Sequence, residues 1–539
     1  MAYAAPRGPG LVAGAQVLRD TSNEPAANRA SATKSSPRVT VAKALRCYAL
    51  SALYLFLIFL PYLHVMTDPF NRTILSFSFG MVLQVFAVIA ILAVPLAAGY
   101  GLLQLTARKL PAPIARWLLR GGFAPFGAFG ITVSVYLVWL HVPWSDFAAA
   151  SVFYHQKFKW GWLVCVGLLV CSQRAYEFLQ RWGGRGLTAL TPLPIVLGLH
   201  LAQFPPLGAA PVPAPEALRG VNAGHTGATK SGPVYFFVFD EWDRIETFRD
   251  GYETYLPNLA AIQKTATTFE GAVSVHDMTL HSVPSIVFQD EAEVRVDAAG
   301  ITHFRRGDTW VPAVEATSIL TTLGQQKTHR VVLGRTLAFD YFLGDEATWV
   351  YQLPWDSGHY LSFSEACRAH LYRAYTYSHF PFHKAFGLTT YPQEFQVWAN
   401  QQIHDNTLRA IAGGGSDIMG IFHYLVPHDP FVYDGEKVRP GYEDVGRERG
   451  YQDNLRFLDR WLGEIVAQIR AAGQWDRCTL VFTADHGTFR GEDRRQREIP
   501  LIVKLPGQQK ARKVAGEFPV TRVVDWIHAE TAAAGERPQ

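Results

Sequence analysis

Three polar clusters in the second half of the chain carry residue types that suit metal chemistry. Each cluster begins where an apolar run ends: Asp240 and Glu241 after Val234–Phe239, His428 after Asp417–Leu425, and Asp485 with His486 after Thr479–Thr483. Carboxylate oxygens and an imidazole nitrogen suit a divalent cation, and Zn²⁺, Mn²⁺, Mg²⁺ and Ca²⁺ all accept such ligands. A single Asp after a strand is more often a helix cap. Several such clusters in one domain favour a metal site.

Two hydroxyl groups lie close together in the segment VHDMTLHSVPS, residues 275–285. Thr279 and Ser282 precede an apolar stretch that is typical of a helix, and the N-terminal end of a helix favours anions. A hydroxyl beside a dication loses its proton more easily and can attack phosphorus or sulfur. The alternative is that both residues cap the helix, which is the commonest role of Ser and Thr there.

The elements that must position these groups follow an α/β pattern. Short apolar runs that are typical of buried parallel strands recur through the second half: Val234–Phe239, Arg330–Leu333, Asp417–Leu425, Thr479–Thr483 and Ile499–Lys504. Between Asp417–Leu425 and Thr479–Thr483, the segment Asn454–Ala471 repeats leucine and isoleucine at helical spacing, and Gly473 is a plausible end of this helix. Strands that alternate with helices predict a mostly parallel sheet covered by helices, with ligands beyond the carboxyl ends of the strands.

The order of these motifs resembles the alkaline phosphatase/sulfatase superfamily. FFVFDE, TLHSVPS, HDPFVY and TADHG occur in that order between residues 233 and 508. The resemblance is strongest to its membrane-anchored branch, the phosphoethanolamine transferases and lipoteichoic acid synthases. It implies an alkaline-phosphatase-like domain in which Thr279, five residues before Pro284, is the nucleophile. It also implies that Asp240, Thr279, Asp485 and His486 hold a divalent metal, that Glu241 replaces or joins Asp240, and that His428 contacts the substrate or a second metal.

Three features depart from that resemblance. Ser282-Val283-Pro284-Ser285 matches the serine form of the sulfatase signature, but Ile286 stands where an Arg belongs, which argues against maturation to formylglycine. The usual second His after Asp-His-Gly is missing, and Arg494, Arg495 and Arg497 lie there instead. These arginines either hold an anionic head group or form a solvated loop, and the solvated loop is favoured. Two cysteines in this half, Cys367 and Cys478, cannot form the several disulfides of the phosphoethanolamine transferases.

The first half of the chain indicates a membrane domain. Five segments are apolar enough to be read as spans: Cys47–Met66, Phe77–Leu105, Gly122–Val142, Trp160–Cys171 and Leu187–Phe204. Basic residues cluster before the first span and after the second and fourth, so five spans place these clusters inside and the polar domain outside. We predict a disordered cytoplasmic tail over 1–42, five helices over 43–206, a linker over 207–232 and the catalytic domain over 233–539.

The functional expectation is an enzyme at the outer face of the cell membrane. The resemblance implies that Thr279 takes a phosphoethanolamine or phosphoglycerol group from a lipid and passes it to a glycan hydroxyl or to water, with His428 as acid or base. A sulfatase-like ester hydrolase acting on glycans, possibly through Ser282, and a degenerate non-catalytic envelope protein are the alternatives. The net charge of +4 over 539 residues, with no basic stripe, argues against nucleic acid as a partner. The sequence gives no indication of the oligomeric state.

Overall fold

The computed structural model describes residues 37–65, 79–140, 161–202 except 190, and most of 232–535. The gaps within the last range are 297–301, 307–308, 326, 328, 336, 338, 340–342, 344–345, 354–362, 379–390, 414, 416, 440–445 and 489–496. The predicted disordered tail, 1–42, is therefore described only from residue 37 onward, and the predicted linker, 207–232, only at residue 232. The chain divides into two compact units, Met1–Cys47 and Tyr48–Gln539, and the second unit contains the α/β domain and the N-terminal helices from Tyr48 onward.

An eight-stranded sheet forms the centre of the α/β domain. Its strands are β1 (Val234–Phe239), β2 (Thr267–Val273), β6 (His329–Arg335), β7 (Trp349–Leu353), β8 (Ile418–Tyr424), β9 (Thr479–Ala484), β10 (Leu501–Lys504) and β11 (Arg512–Pro519). The spatial order is β11-β2-β10-β9-β1-β8-β6-β7, and only β10 runs antiparallel to its neighbours. A separate antiparallel sheet joins β3 (Glu293–Val296), β4 (Thr302–Arg306) and β5 (Thr309–Pro312).

Helices cover the large sheet and complete its core. The longer ones are α7 (Pro257–Gln263), α8 (Thr279–Phe288), α9 (Phe363–Ser378), α10 (Tyr391–Gly413), α11 (Arg447–Ala471) and α12 (Val523–Gly535). Single turns lie at Arg244–Thr247, Tyr252–Tyr255 and Ile319–Thr322, and 3₁₀ turns at Ala313–Glu315 and Val520–Arg522. Every residue of β1, β8 and β9 is buried, which explains why these strands read as continuous apolar runs rather than as alternating ones.

The predicted fold class is confirmed: a mostly parallel sheet with helices follows an apolar N-terminal region. All five predicted strands exist, although the last of them, β10, begins at Leu501 and is antiparallel. The predicted helix over Asn454–Ala471 begins earlier, at Arg447, and Gly473 lies just beyond its end with a φ of 66°. That left-handed conformation is what glycine supplies most cheaply after a helix.

The N-terminal region is helical. Its helices are α1 (Pro37–Val65), α2 (Phe79–Arg108), α3 (Ala112–Leu140), α4 (Gly161–Cys171), α5 (Gln173–Ala189) and α6 (Pro192–Ala202). Within the described residues, Val41–Leu63 and Val82–Arg108 are long and apolar enough to cross a membrane, and a third span results if the bent pair Gly161–Cys171 and Gln173–Leu197 is counted as one. Membrane anchoring follows from these helices, and the count of five spans stays a prediction.

Candidate metal centre and nucleophile

The candidate site lies at the carboxyl ends of β1 and β9, which are paired in parallel and in register through Phe239 and Ala484. Asp240 and Asp485 are therefore the next residues of two adjacent strands. The backbone N–H of Asp485 donates to the carbonyl of Phe239 at 3.3 Å, which continues the ladder by one bond. Parallel pairing thus brings together two carboxylates that are 245 positions apart in the sequence.

Asp240, Asp485 and His486 form a group whose ligand atoms all lie within 4.8 Å of one another. Nε2 of His486 is 3.6 Å from Oδ1 of Asp240 and 3.6 Å from Oδ2 of Asp485. All three residues are buried. Two carboxylates this close repel each other in a buried site unless a proton or a cation lies between them. This donor set of two oxygens and one nitrogen suits a divalent ion.

The two oxygens of Asp485 have different partners. Oδ1 accepts the backbone N–H groups of His486 at 2.7 Å and of Glu241 at 3.2 Å, which fixes the orientation of the carboxylate. Oδ2 is buried and has no hydrogen-bond partner. A buried carboxylate oxygen without a donor is costly, and a bound cation would compensate it. The residues present therefore fit the divalent metal that sulfatase-type sites use.

His486 is held in the tautomer that metal binding requires. Its Nδ1 lies 2.9 Å from the carbonyl oxygen of Gly487, and since a carbonyl only accepts, Nδ1 carries the proton. Nε2 is then left with a free electron pair that faces Asp240 and Asp485. An outer hydrogen bond of this kind commonly fixes the ring of a metal-ligating histidine.

Thr279 is the first residue of α8 and reaches the same group. Its Oγ1 is 3.4 Å from Oδ1 of Asp240 and 3.3 Å from Nε2 of His486. The residue before it, Met278, is the N-cap and makes no side-chain capping bond. Thr279 therefore does not have the capping role that was the alternative for this hydroxyl.

Ser282, the other hydroxyl, lies one turn further along α8 and is fully buried. Its Oγ donates to the carbonyl of Met278 at 2.7 Å, a bond from i to i−4 within the helix. Its hydrogen is therefore used by the helix backbone, while the Thr279 hydroxyl is beside the carboxylates. The geometry favours Thr279 over Ser282 as the nucleophile.

Glu241 and His428 form a second pair beside the three ligand candidates. Glu241 is not in the group formed by Asp240, Asp485 and His486; its Oε1 is 3.7 Å from Nε2 of His428 and its Oε2 is 3.4 Å from the guanidinium of Arg447. Its backbone has a φ of 58°, which is uncommon for a residue with a side chain. The structure thus places Asp240 in the group of candidate ligands and Glu241 beside His428.

Burial and mutual charge shift the pKa values of this site. Burial, followed by the charge of Asp485, raises the pKa of the Asp240 carboxyl to about 7. Burial also raises the pKa of Glu241. Burial alone would lower the pKa of His428, but the carboxylates of Asp240, Asp429 and Glu241 raise it well above its ordinary value. These carboxylates therefore favour the imidazolium form of His428 in the metal-free protein.

These shifts give the metal-free protein a pH-dependent stability. Asp240 has an ordinary pKa of 3.8 and a folded pKa of about 7, so the folded state binds its proton more tightly. That stabilisation is complete below about pH 4 and is lost as the pH rises through about 7. The raised pKa values of His428 and His486 have the same sign.

We therefore expect the melting temperature of chelator-treated protein to fall between pH 5 and pH 8. Asp240→Asn, which removes the titrating acid, should flatten this dependence. Metal binding displaces the protons, so added metal should stabilise the protein more at pH 8 than at pH 5. A pH dependence of the chelated wild type equal to that of Asp240→Asn would show that Asp240 does not titrate in a buried site.

The structure also identifies supporting residues that the sequence gave no signal for. Tyr451 of α11 donates its hydroxyl to the carbonyl of Glu241 at 2.6 Å and accepts the N–H of Asp243 at 2.9 Å, so it fixes the turn after β1. Ser274 donates its hydroxyl to the carbonyl of Asp485. Both are ordinary polar residues in the sequence, and only the tertiary contacts give them a place at the site.

Of the arginines at positions 494, 495 and 497, the structure describes Arg497, whereas Arg494 and Arg495 lie outside the described residues. Its Nε donates to the carbonyl of Ser274 at 2.9 Å and its terminal nitrogen to the carbonyl of Val275. Arg497 is exposed, and these two bonds support the loop that leads to Thr279.

We expect Arg497→Gln to lower turnover by about tenfold, because a small misplacement of the nucleophile is costly in rate. Arg512→Gln is the matched control, since Arg512 pairs with Glu530 on the surface away from this loop. Turnover of a p-nitrophenyl phosphodiester by both variants tests the prediction. Equal activity of the two would mean that the Arg497 contact does not position Thr279.

Comparison with known proteins identifies one family. The sulfatase family model matches residues 239–535, which is more than half of the chain and includes Asp240, Thr279, His428, Asp485 and His486. No curated protein matches the chain.

Among solved structures, similar ones include the lipoteichoic acid synthase LtaP from Listeria monocytogenes, with 13% identity and a TM-score of 0.35 over 58% of this chain and 76% of that one. The PsFucS1 sulfatase from Pseudoalteromonas sp. has 14% identity and a TM-score of 0.39 over 61% and 73%. The phosphonate monoester hydrolase of Agrobacterium radiobacter has 12% identity and a TM-score of 0.34 over 56% and 74%.

The fold and the family match define the class of protein: an enzyme of the alkaline phosphatase superfamily, whose members are hydrolases or transferases. Within that superfamily the chain belongs to the sulfatase family. Sulfatase-family enzymes use a divalent metal, and Asp240, Asp485 and His486 form a group that could hold one.

Proposed function

We propose that this protein is a membrane-anchored, metal-dependent enzyme that transfers or hydrolyses a phospho head group through Thr279. The observation that carries the proposal is the position of the Thr279 hydroxyl, 3.3–3.4 Å from His486 and Asp240 at the first residue of α8. Asp240, Thr279, Asp485 and His486 are the proposed metal ligands. Zn²⁺, Mn²⁺, Mg²⁺ or Ca²⁺ satisfies this donor set.

A divalent ion at this group would lower the pKa of the Thr279 hydroxyl and offset the negative charge on the transferred oxygens. The Thr279 oxygen forms a bond to phosphorus, and the bond from phosphorus to the lipid hydroxyl oxygen breaks. The N-terminal end of α8, where Thr279 lies, would face the transferred group, and the helix dipole there favours an anion. An acceptor hydroxyl, from a glycan or water, then displaces the threonine oxygen from phosphorus.

His428 is the proposed proton donor for the leaving lipid hydroxyl. It is partly exposed, with 27% of its side chain accessible, and its Nε2 faces Glu241 at 3.7 Å. Asp429 and Glu241, which are not among the proposed metal ligands, help to raise the pKa of His428, and this direction favours the protonated form that a general acid requires. After the lipid leaves, the neutral imidazole can take the proton of the acceptor hydroxyl. Glu241, itself paired with Arg447, orients the ring.

The proposed location is the cell membrane, with the sulfatase domain on the outer face. Two apolar helices support the anchor. Arg38, Lys43 and Arg46 precede the first predicted span, Cys47–Met66, and basic residues favour the cytoplasmic side of the membrane. Membrane lipid is the proposed donor and a glycan the proposed acceptor, since both are available at that surface.

Hydrolysis of a sulfate ester is the second candidate, and family membership is the observation that favours it. Its usual nucleophile would correspond to Ser282, whose hydroxyl is committed to the Met278 carbonyl. Mass spectrometry of the tryptic peptide containing residues 282–286 tests for formylglycine. An unmodified serine, together with turnover of a phosphodiester and not of p-nitrophenyl sulfate, supports the phospho-transfer proposal.

The direct test is to trap the threonine intermediate. The full-length protein in lipid nanodiscs is mixed with a fluorescent phospholipid and divalent metal, quenched in acid and digested. We expect phosphate-linked head group on Thr279 in the wild type and none after chelation. Label on another residue, or metal-dependent turnover with no labelled enzyme in a rapid-quench series, would overturn the proposed role of Thr279.

A further inference from the structure

Helix α9 belongs to the α/β half of the chain but packs against the membrane helices. Its stripe Cys367, His370, Leu371 and Ala374 has the spacing of one helix face, and the three apolar residues of this stripe join the apolar cluster of α1 and α2. This cluster is separate from the core of the sulfatase domain. The helix is therefore shared between the two parts.

Four polar residues lie within this contact, and we call them the polar clasp: Tyr62 of α1, Gln84 of α2, and His370 and Arg373 of α9. Tyr62 and His370 have no exposed surface, and Arg373 is 2% exposed. Buried polar groups of this kind are stabilising when they are hydrogen-bonded to one another and costly when they are separated. The clasp therefore favours one arrangement of α9 over others.

Each hydrogen bond of the polar clasp can be assigned a donor and an acceptor without conflict. Arg373 donates to the Tyr62 hydroxyl oxygen, and the Tyr62 hydroxyl lies 3.3 Å from Nδ1 of His370. Since the oxygen accepts from the arginine, its own hydrogen is available for Nδ1. His370 then carries its proton on Nε2, which lies 3.3 Å from the amide oxygen of Gln84. The guanidinium of Arg373 also lies over the Tyr62 ring, 5.5 Å from its centre.

A chain of contacts leads from the clasp to the candidate active site. Arg368 of α9 pairs with Glu394 of α10 at 3.1 Å. On α10, Gln396 donates to the carbonyl of Leu425 at 3.1 Å and Asn400 accepts the N–H of Leu425 at 3.2 Å. Leu425 follows β8, three positions before His428. Both backbone groups at the end of this strand are thus held by the helix that packs on α9.

Tyr62 lies near the end of the first candidate span, Val41–Leu63, and Gln84 near the start of the second, Val82–Arg108. Consecutive spans cross the membrane in opposite directions, so these two positions lie at the same membrane face. We propose that α9 is a docking helix that fixes the sulfatase domain to that face and so holds the active site at a set position relative to membrane lipid. This inference rests on the proposed function only for the identity of the lipid substrate.

Docking of this kind should matter for a substrate that is embedded in the membrane and not for one that diffuses freely. We expect Tyr62→Phe and Arg373→Met, in the full-length protein in nanodiscs, to lower turnover of a fluorescent phospholipid by about tenfold. Turnover of a soluble p-nitrophenyl phosphodiester should stay within about twofold of the wild type, because the active site itself is unchanged. Tyr54→Phe is the matched control, since its hydroxyl donates to the carbonyl of Phe126 within the membrane helices.

Hydrogen exchange supplies a readout that needs no activity. The amides of residues 363–378 should exchange about tenfold faster in Tyr62→Phe and Arg373→Met than in the wild type, and Tyr54→Phe should match the wild type. If the amides of residues 363–378 exchanged at the same rate in both clasp variants as in Tyr54→Phe, the proposal that α9 is a docking helix would be overturned. If exchange were faster but turnover of the phospholipid and of the soluble phosphodiester fell equally, docking by α9 would not act selectively on the lipid substrate, and that part of the proposal would be overturned. If the wild type turned over neither substrate, the proposed function would fail while the exchange result still decided the docking.

Discussion

Replacing Thr279 with alanine is expected to abolish turnover of both a p-nitrophenyl phosphodiester and a fluorescent phospholipid, by about 10⁴-fold or more. Loss of a nucleophile leaves only the contribution of binding and of charge stabilisation. The variant should fold normally, because Thr279 does not cap α8 and its hydroxyl is only part-buried. Steady-state turnover with added metal, together with the melting temperature, provides the measurement.

Ser282→Ala is the matched control for this experiment, since it removes a hydroxyl from the same helix only three positions away. The Ser282 hydroxyl bonds to the carbonyl of Met278, so its loss should change stability slightly and leave turnover within a few-fold of the wild type. Thr279→Ser, which retains a hydroxyl, should keep part of the activity. The reverse pattern, an active Thr279→Ala and an inactive Ser282→Ala, would transfer the nucleophile to Ser282.

Loss of bound metal is the second large effect that we expect, after Asp240→Asn or Asp485→Asn. Each change removes an anionic ligand candidate, and even residues that only support metal ligands typically contribute 10–100-fold to affinity. Affinity should therefore fall by at least about 100-fold. Elemental analysis of purified protein and titration of the chelated protein with Zn²⁺ or Mn²⁺ measure this without any assay of activity.

Asp459→Asn is the matched control for the metal experiment. Asp459 is also buried, with 4% exposure, but its carboxylate accepts the N–H groups of Asn258 and Leu259 at the start of α7. This variant should lose some stability and keep its metal. Added metal should raise the melting temperature of the wild type and of Asp459→Asn, but not of Asp240→Asn. Retention of full metal affinity by both Asp240→Asn and Asp485→Asn would exclude this group as the metal site.

The Asp240→Asn variant also separates the effect of this acid on stability from its effect on metal binding. In the metal-free protein, Asp240 is raised to a pKa of about 7 by burial and by the charge of Asp485, so its carboxylate opposes folding at high pH. Asp240→Asn should therefore stabilise the chelated protein at pH 8 while it removes metal binding. A site that is unfavourable without its ion and favourable with it is typical of functional clusters of buried acids.

The sequence by itself determined the class of fold and the positions of the main strands. β1, β8 and β9 are continuous apolar runs because both of their faces are covered, so their ends, and with them Asp240, His428 and Asp485, could be located directly. The small sheet of β3, β4 and β5, strand β2, the edge strands β7 and β11, and helices α9 and α10 were not predicted. β11 is largely exposed and β3–β5 are short, so their apolar patterns are weak.

The tertiary structure decided which candidates share a site. Parallel pairing of β1 with β9 sets Asp240 beside Asp485, a contact across 245 positions that no local pattern encodes. It also separated adjacent candidates: Asp240 faces the metal group whereas Glu241, with its φ of 58°, faces His428. The resemblance implied Thr279 as the nucleophile and left Ser282 as the alternative, and the helix geometry directs the Thr279 hydroxyl to the acids and the Ser282 hydroxyl to a backbone carbonyl. Local sequence specifies which elements form, whereas strand order and side-chain direction arise from packing over the whole domain.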